Sequence, residues 1–388
     1  MSAPSPQRYA SGARRHGIDA VTLENALAAL ARIRATDPRI TPVLTLRHFS
    51  VLTELPYLFL RRTVARRGHT KYRFVLLKKR IPGRSAKRMI SIPPKSLAIA
   101  QRWLVDHVLR YAPVHPASFA FHPESSPVQA AEQHPNTKWL LKVDIEDFFH
   151  SVSEGTVSAI FAWLGFPKLL SFEFARLCTI GLDRGPGKNP APHKGPIDFY
   201  ALGYEGILPQ GAPTSPMLAN LAMLRIDTLL ARLAEERGLR YSRYADDLAF
   251  STDADRSLGE MRRLQRDVCA ILNDSGFRHN QRKTVIRGPG TRRIVLGMLV
   301  DGPMPRLQRA YKDMIRLHLH YLSSPAYGPA KHALARKTGV SSLYHHVRGL
   351  IAWAQQVEPA FGQQALEQFA SVDWPPIQPR QIESGWDD

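Results

Sequence analysis

"RYADDLAFS", residues 243–251, places two carboxylates side by side, Asp246 and Asp247, between an aromatic residue and an apolar run. Within "LRYSRYADDLAFSTD" the stretch has the form of a hairpin: a strand, an acidic tip and a second strand. Adjacent aspartates often do no more than make a turn, so the pair alone carries little information. A third acid changes the reading. "KWLLKVDIEDFF" (138–149) is an apolar run that ends in acids, the pattern of a central strand delivering Asp144 at its C-terminal edge. If the two segments neighbour one another in a sheet, three carboxylates meet. Such a cluster is electrostatically costly unless cations neutralise it, and hard oxygen donors suit magnesium.

The wider composition points to a polyanionic partner. The 388 residues carry 53 Lys and Arg against 33 Asp and Glu, a formal charge of +20, far more than solubility requires. The basic residues come in blocks with aromatics interleaved, as in "LRRTVARRGHTKYRF" (60–74) and "LLKKRIPGRSAKR" (76–88), so nucleic acid is the expected ligand. With 44% hydrophobic residues the chain can bury a core across two or three packed subdomains. The two cysteines, Cys178 and Cys269, have apolar neighbours and no CxxC spacing, which argues against a disulfide framework or zinc ribbon. "HLHYL" (318–322) and His345-His346 lack a carboxylate or cysteine at ligand spacing and read as structural or phosphate-facing. The N-terminal residues lack the apolar stretch expected of a signal peptide, and no run approaches the ~18 apolar residues of a membrane span; the expectation is a cytoplasmic protein with no membrane partner.

Along the chain, residues 1–18 read as disordered, and "TLENALAALARIRA" (22–35) as a helix with Thr22 as N-cap. "KYRFVLLKKR" and "RSAKRMISIP" form a basic hairpin around Pro82-Gly83. "SLAIAQRWLVDHVLRY" (96–111) is helical, and residues 113–137 are a loop with at most a short helix. A helix capped by Ser153 follows the first acidic strand, and the Pro/Gly/Lys-rich stretch 183–206 is an exposed loop. One long helix is expected from Ser215 to Gly238, and an amphipathic one over 257–277. "TRRIVLGMLVDG" (291–302) supplies one or two short strands, the chain from about 306 is helical and basic, and the tail after 371 is loose.

"LLKVDIEDFF", "LPQGAPTSPMLAN" and "YADDLAF" occur in the order and spacing of reverse transcriptases, with "GFRHNQRKT" (276–284) and "VLGM" (295–298) where that family places its next motifs. The chain therefore resembles reverse transcriptases. The resemblance implies an α+β right hand: an N-terminal extension over 1–40, fingers over 41–143 with the first palm strand beginning near 139, palm over 144–304, helical thumb over 305–370 and a tail over 371–388. It implies RNA-directed DNA synthesis with two Mg2+ ions, or Mn2+, held by Asp144, Asp246, Asp247 and the carbonyl of Ile145. Phe149 matches the bulky side chain under the incoming sugar, which excludes a 2′-hydroxyl. Gln210 and Gly211 match the turn against the deoxynucleoside triphosphate and its template partner. Lys78, Lys79 and Arg88 match the basic residues that grip the triphosphate, Arg88 standing in the family's Arg-x-Ile pattern, and Lys283 matches the lysine beside the phosphates. "VLGM" (295–298), with Leu296 and Gly297, corresponds to the primer grip, Tyr244 to a buttress for the primer beside the aspartates, and Lys312, Arg316, Lys331, Arg336 and Lys337 give a basic thumb for RNA or the RNA–DNA hybrid.

Within the family, "YADD", "LPQGAPTSP" and "VRGLIAWAQQVEP" look most like bacterial retron-type enzymes. Those resemble antiphage defence modules that copy part of a structured noncoding RNA into DNA and can work with an accessory effector protein. Two positions depart from the retron pattern: Ala130 stands where the family has asparagine four residues before His134, and Leu296 interrupts Val-Thr-Gly. No RNase H, zinc-finger endonuclease or integrase pattern follows, so removal of the RNA strand is expected to fall to another protein. Another defence-associated or intron-type reverse transcriptase is the nearest alternative. A non-catalytic RNA-binding scaffold for a partner effector is the alternative of another class; the three intact carboxylates speak against it.

Overall fold

The computed structural model describes residues 6–66, 72–78, 87–181 and 206–377. The strands in chain order are β1 (Arg73–Lys78), β2 (Lys87–Ile92), β3 (Trp139–Asp144), β4 (Ile180–Gly181), β5 (Gly206–Ile207), β6 (Arg240–Tyr244), β7 (Asp247–Thr252), β8 (Val285–Arg287), β9 (Ile294–Val295), β10 (Met298–Leu299) and β11 (Arg306–Leu307). The chain divides into two compact units, each assembled from separated segments. The first comprises Met1–Glu124, Ile145–Leu229 and Cys269–His279; the second comprises Ser125–Asp144, Leu230–Val268 and Asn280–Asp388.

The first unit is mainly helical around an aromatic core. Phe174 meets Phe49, Phe161 and Phe166 at centroid separations of 5.0, 5.2 and 5.5 Å, all steeply tilted, the edge-to-face geometry that ring quadrupoles favour. Two short sheets attach to it. β1 and β2 pair antiparallel from Arg73↔Ile92 to Lys78↔Lys87, as the two β-rich segments require, while the expected turn at Pro82-Gly83 lies outside the described residues. β4 and β5 flank the expected loop 183–206, which except for Gly206 also lies outside them.

The second unit carries a four-stranded antiparallel sheet, order β6-β7-β3-β8. The hydrophobic strand 139–144 lies inside it, as its apolar run demands. Leu140 and Ala249 on one face belong to a core with Val295, Met298, Ile315, Leu319, Val347 and Ile351 from the smaller β9–β11 sheet and the C-terminal helices. His134 bolts the sheet from that side: Nδ1 lies 2.6 Å from Ser251 Oγ on β7 and Nε2 2.7 Å from Ser242 Oγ on β6. Burial, helped by the charge of Arg240, lowers this histidine to about 3, so it is a neutral structural group.

Several expectations are corrected. Residues 6–15 form a helix, Pro6–Arg15, for which arginine, alanine and glutamine are good formers. The next helix, Ala20–Thr36, is capped by Asp19, whose Oδ1 accepts from the Thr22 amide at 2.8 Å; Thr22 lies in the first turn. Ser153 caps Glu154–Trp163 as expected. The helix from Ser215 is two, Ser215–Ala222 and Leu224–Glu236, because Met223 N–H turns tightly back to the Asn220 carbonyl and Asn220 is bonded through Oδ1 to Ser118. The tail stays packed as far as Trp374, which meets Tyr344 and Phe369 at 5.0 and 5.2 Å. Among the described residues, no helix is long and apolar enough to cross a membrane.

Candidate active site

The hairpin and the strand do meet. Asp144 and Asp247 are directly opposite in the β3–β7 ladder, and Tyr244 faces Asp247 across β6–β7. Because side chains alternate along a strand, Asp144, Asp247 and Tyr244 share one face of the sheet with Lys142, Ser242 and Ala249. Ala245 and Asp246 are the two loop residues between the strands. Asp144 is 4% exposed, while both tip aspartates are half-buried.

The electrostatics follow from this crowding. Asp246 and Asp247 hold protons more tightly than ordinary carboxylates, first because burial disfavours their charge and then because Asp144 repels them. Lys142 opposes the rise at Asp247. Lys283 Nζ lies 2.7 Å from Asp144 Oδ2; burial pulls this lysine down, but the bond and the surrounding carboxylates outweigh it and hold the ammonium above its usual value. A turn built by "HNQRKT" places it there: the Asn280 amide donates to the Asp144 carbonyl at 2.7 Å, and the Lys283 and Thr284 amides return to Asn280 O.

Carboxylate oxygens are the kind of hard donor that divalent ions favour. Among the described residues no three or more acidic, histidine or cysteine side chains are grouped so as to hold a metal ion, and Asp144 is ion-paired with Lys283. The Lys283 ammonium bonds Asp144 alone among the described residues, and Asp246 and Asp247 keep raised proton affinity although Lys283 lies near both and Lys142 near Asp247. Beside it, Tyr244, Asp247, Lys142, Val295 and Leu296 line a narrow cleft. Leu296 and Gly297 form the β9–β10 turn, both at positive φ (47° and 87°), and the Gly297 carbonyl accepts from Gln308 Nε2. A larger groove of about 620 Å³, lined by Arg237, Arg256, Glu260 and Asp267 among others, holds none of the motif residues, and these acids and arginines pair with one another.

The first unit gathers a second set. Gln210 and Gly211 pack on β2: the Ser91 amide donates to the Gln210 carbonyl at 2.7 Å, and Gly211 sits at φ +117° with space for no side chain, since a Cβ would lie 2.7 Å from Ile90 Cγ2 and 3.0 Å from Ser91 O. Arg88, two residues from Ile90, is exposed on the same strand. The approach to Gln210 is fixed by Glu154, which binds Arg66 at 2.5 Å, Arg176 at 3.0 Å and the Gly206 amide at 3.1 Å, while the Leu208 amide bonds Val152 O. Phe149 is half-buried, 5.6 Å from Phe148 and 6.1 Å from Phe121, so part of its ring faces out of the core. Ile145 is buried and bridged to His279. Lys78 ends β1, and Lys79 lies outside the described residues.

The basic C-terminal residues are not equivalent. Lys312 is engaged by Glu358 at 2.5 Å, and Arg316 by Asp313 at 3.0 Å. Lys331 donates to the Ala326 carbonyl, and Arg336 and Lys337 are exposed. Sequence reasoning missed Lys142 and Arg243. The first was legible, two residues before Asp144 and so on its face of the strand; the second, completely buried beside the hairpin tip, had no local signal, since arginine is seldom buried.

Residues 76–300 match the family of reverse transcriptases (RNA-dependent DNA polymerases). Among curated proteins, the retron Ec86 reverse transcriptase of Escherichia coli is 29% identical over 301 residues, covering 76% of this chain and 84% of that protein. The retron Mx162 reverse transcriptase of Myxococcus xanthus is 32% identical over 308 residues, 76% of this chain but 60% of that longer protein. The retron Ec83 reverse transcriptase of Escherichia coli is 26% identical, covering 76% and 86%. The family has the right-hand polymerase fold, with which the mixture of helices and sheets agrees, and generally uses divalent metal ions, typically magnesium. Carrying the family's matched region, its acidic hairpin beside an acidic strand and retron relatives across most of its length, the chain belongs to the reverse transcriptases, as an RNA-directed DNA polymerase of the retron type.

Proposed function

We propose that the protein copies a structured noncoding RNA into DNA as the polymerase of a retron, with Asp144, Asp246 and Asp247 as its catalytic carboxylates. The observation that carries this reading is the direct pairing of Asp144 with Asp247 across two neighbouring strands, with Asp246 at the adjoining tip. In this reading residues 41–143 are fingers, 144–304 palm and 305–370 thumb.

The three aspartates, with the Ile145 carbonyl, would hold two Mg2+ ions. Bound there, magnesium would acidify the primer 3′-hydroxyl and offset the charge of the departing pyrophosphate. With magnesium held by the aspartates, Lys283 would be free of Asp144 and could turn its ammonium to the phosphates, where its proton would suit the leaving pyrophosphate. Gln210 and Gly211 present backbone and amide to the nucleotide, Arg88 takes the triphosphate, and Phe149 blocks a 2′-hydroxyl. Tyr244 and the Leu296–Gly297 turn steady the primer end. Arg336, Lys337 and Lys331 offer charge to RNA phosphates.

The retron relatives support an RNA template and a DNA product, and a role in antiphage defence with an effector partner follows from the same reading. Primer extension on an RNA template with Mg2+, comparing wild type with Asp246→Ala, tests the site: synthesis by the first and none by the second is expected. Equal synthesis removes catalysis from these aspartates, and no synthesis by either favours a scaffold. Nucleic acid recovered with the purified protein should be sensitive to both RNase and DNase.

A further inference from the structure

Arg243 is wholly buried and is among the largest side chains so enclosed in the protein. It lies on β6 opposite Leu248, on the face of the sheet that points away from Tyr244 and Asp247. Its neighbours on that face, Leu141, Val143, Leu248 and Phe250, are all 0% exposed. From there Nη1 reaches the tip of the hairpin and donates to the Ala245 carbonyl at 3.1 Å.

That carbonyl belongs to the one residue in the tip whose backbone is unfavourable. The loop between Tyr244 and Asp247 has two residues, and of these Ala245 alone has positive φ, 56°. Positive φ at the first of two central residues is the pattern of a type II′ hairpin turn, where glycine is the usual occupant. An alanine there is strained, and such strain persists only where surrounding contacts over-determine it. Ala245 is 8% exposed, so its carbonyl needs a partner that water does not readily supply.

We propose that Arg243 is a positioning residue for DNA synthesis: from beneath the sheet it holds the Ala245 carbonyl and thereby sets the left-handed turn that aims Asp246 and Asp247. The inference rests on those aspartates being the catalytic carboxylates. It explains why a charged side chain is enclosed among Leu141, Val143 and Phe250, where an aliphatic one would pack at lower desolvation cost. A guanidinium is suited to the task because its planar fork can be anchored at one edge while another N–H reaches the turn; a lysine ammonium cannot reproduce that geometry.

The test is a cycle of Arg243→Lys, Ala245→Gly and the double variant, in the full-length protein. Primer extension gives kcat and KM for the nucleotide, and Mn2+ binding is followed by electron paramagnetic resonance without substrate. Arg243→Lys should lower kcat and weaken Mn2+ binding by about 10- to 100-fold, as loss of a group that orients metal ligands does, with nucleotide KM little changed. Glycine adopts the turn unaided, so the double variant should regain most of both losses. A deficit in Arg243→Lys that Ala245→Gly leaves untouched, or a loss of melting temperature that fully accounts for it, would overturn the proposal. Asp246→Asn separates the underlying reading: if that variant keeps activity and Mn2+ binding, the aspartate assignment has failed rather than the role of Arg243.

Discussion

Replacing Gly211 by alanine should disable nucleotide use while leaving the rest of the protein folded. The added Cβ would lie 2.7 Å from Ile90 Cγ2 and 3.0 Å from the Ser91 carbonyl oxygen, against ~3.5–4.0 Å for relaxed contact between carbons. One of these atoms is backbone, so β2 must retreat, which overpacking data place at ~1–3 kcal/mol. The φ of +117° lies well past the left-handed region that other residues visit and adds ~1–3 kcal/mol. Retreat of β2 also stretches the 2.7 Å bond from the Ser91 amide to Gln210 O, and Ser91 is only 2% exposed, so leaving that pair unmade costs a further ~1–3 kcal/mol. Even the low ends sum to ~3 kcal/mol, or roughly a hundredfold in rate if the loss falls on nucleotide binding in the transition state. The assay is kcat/KM for one deoxynucleotide on a homopolymeric RNA template, alongside a thermal melt. Gly290→Ala serves as the control, since it also requires positive φ (80°) but its Cβ meets nothing within 4 Å. A Gly211→Ala enzyme within threefold of wild type, or no worse than Gly290→Ala, would refute the packing argument.

Other outcomes follow from the same structure. Phe149→Val should raise incorporation of a ribonucleotide relative to its deoxy counterpart by about tenfold or more; an unchanged ratio in single-nucleotide incorporation removes Phe149 as the gate. His134 is neutral in the folded protein down to about 3, whereas an unfolded histidine takes a proton near 6.5, so the unfolded state binds more protons in between. Its stabilising contribution is complete above about pH 6.5 and is lost as pH falls toward 3, at up to ~1.4 kcal/mol per unit. Urea unfolding at pH 7, 6 and 5 should show this slope in wild type and a shallower one in His134→Gln; parallel profiles count against the buried neutral histidine. RNA affinity should fall about a thousandfold or more between ~50 and ~200 mM salt if six or more phosphates are contacted, and a flat response in filter binding would contradict the phosphate contacts. Within that response, Arg336→Ala should reduce the salt slope, whereas Lys312→Ala should chiefly lower the melting temperature, because Lys312 is held by Glu358.

The sequence alone determined whatever is written in local period, order and spacing. The apolar run ending at Asp144, the acidic hairpin of "RYADDLAFS", the cap at Ser153 and the paired strands around residues 73–92 each have a short-range signature, and the order of the motifs carried the polymerase reading. Local pattern placed the cap at Thr22 where the structure has Asp19, and missed the break at Met223, because a side-chain oxygen three residues upstream or a buried Asn220 bonded to Ser118 decides those ends. Only the tertiary structure decided the register that sets Asp144 against Asp247, the reach of Lys283 to Asp144, the seating of Gly211 on Ile90 and the burial of Arg243 under Ala245. Most of these join segments about a hundred residues or more apart in the chain, and Arg243 depends on burial. Contact and desolvation across such distances are properties of the packed sheet, which no window of sequence contains.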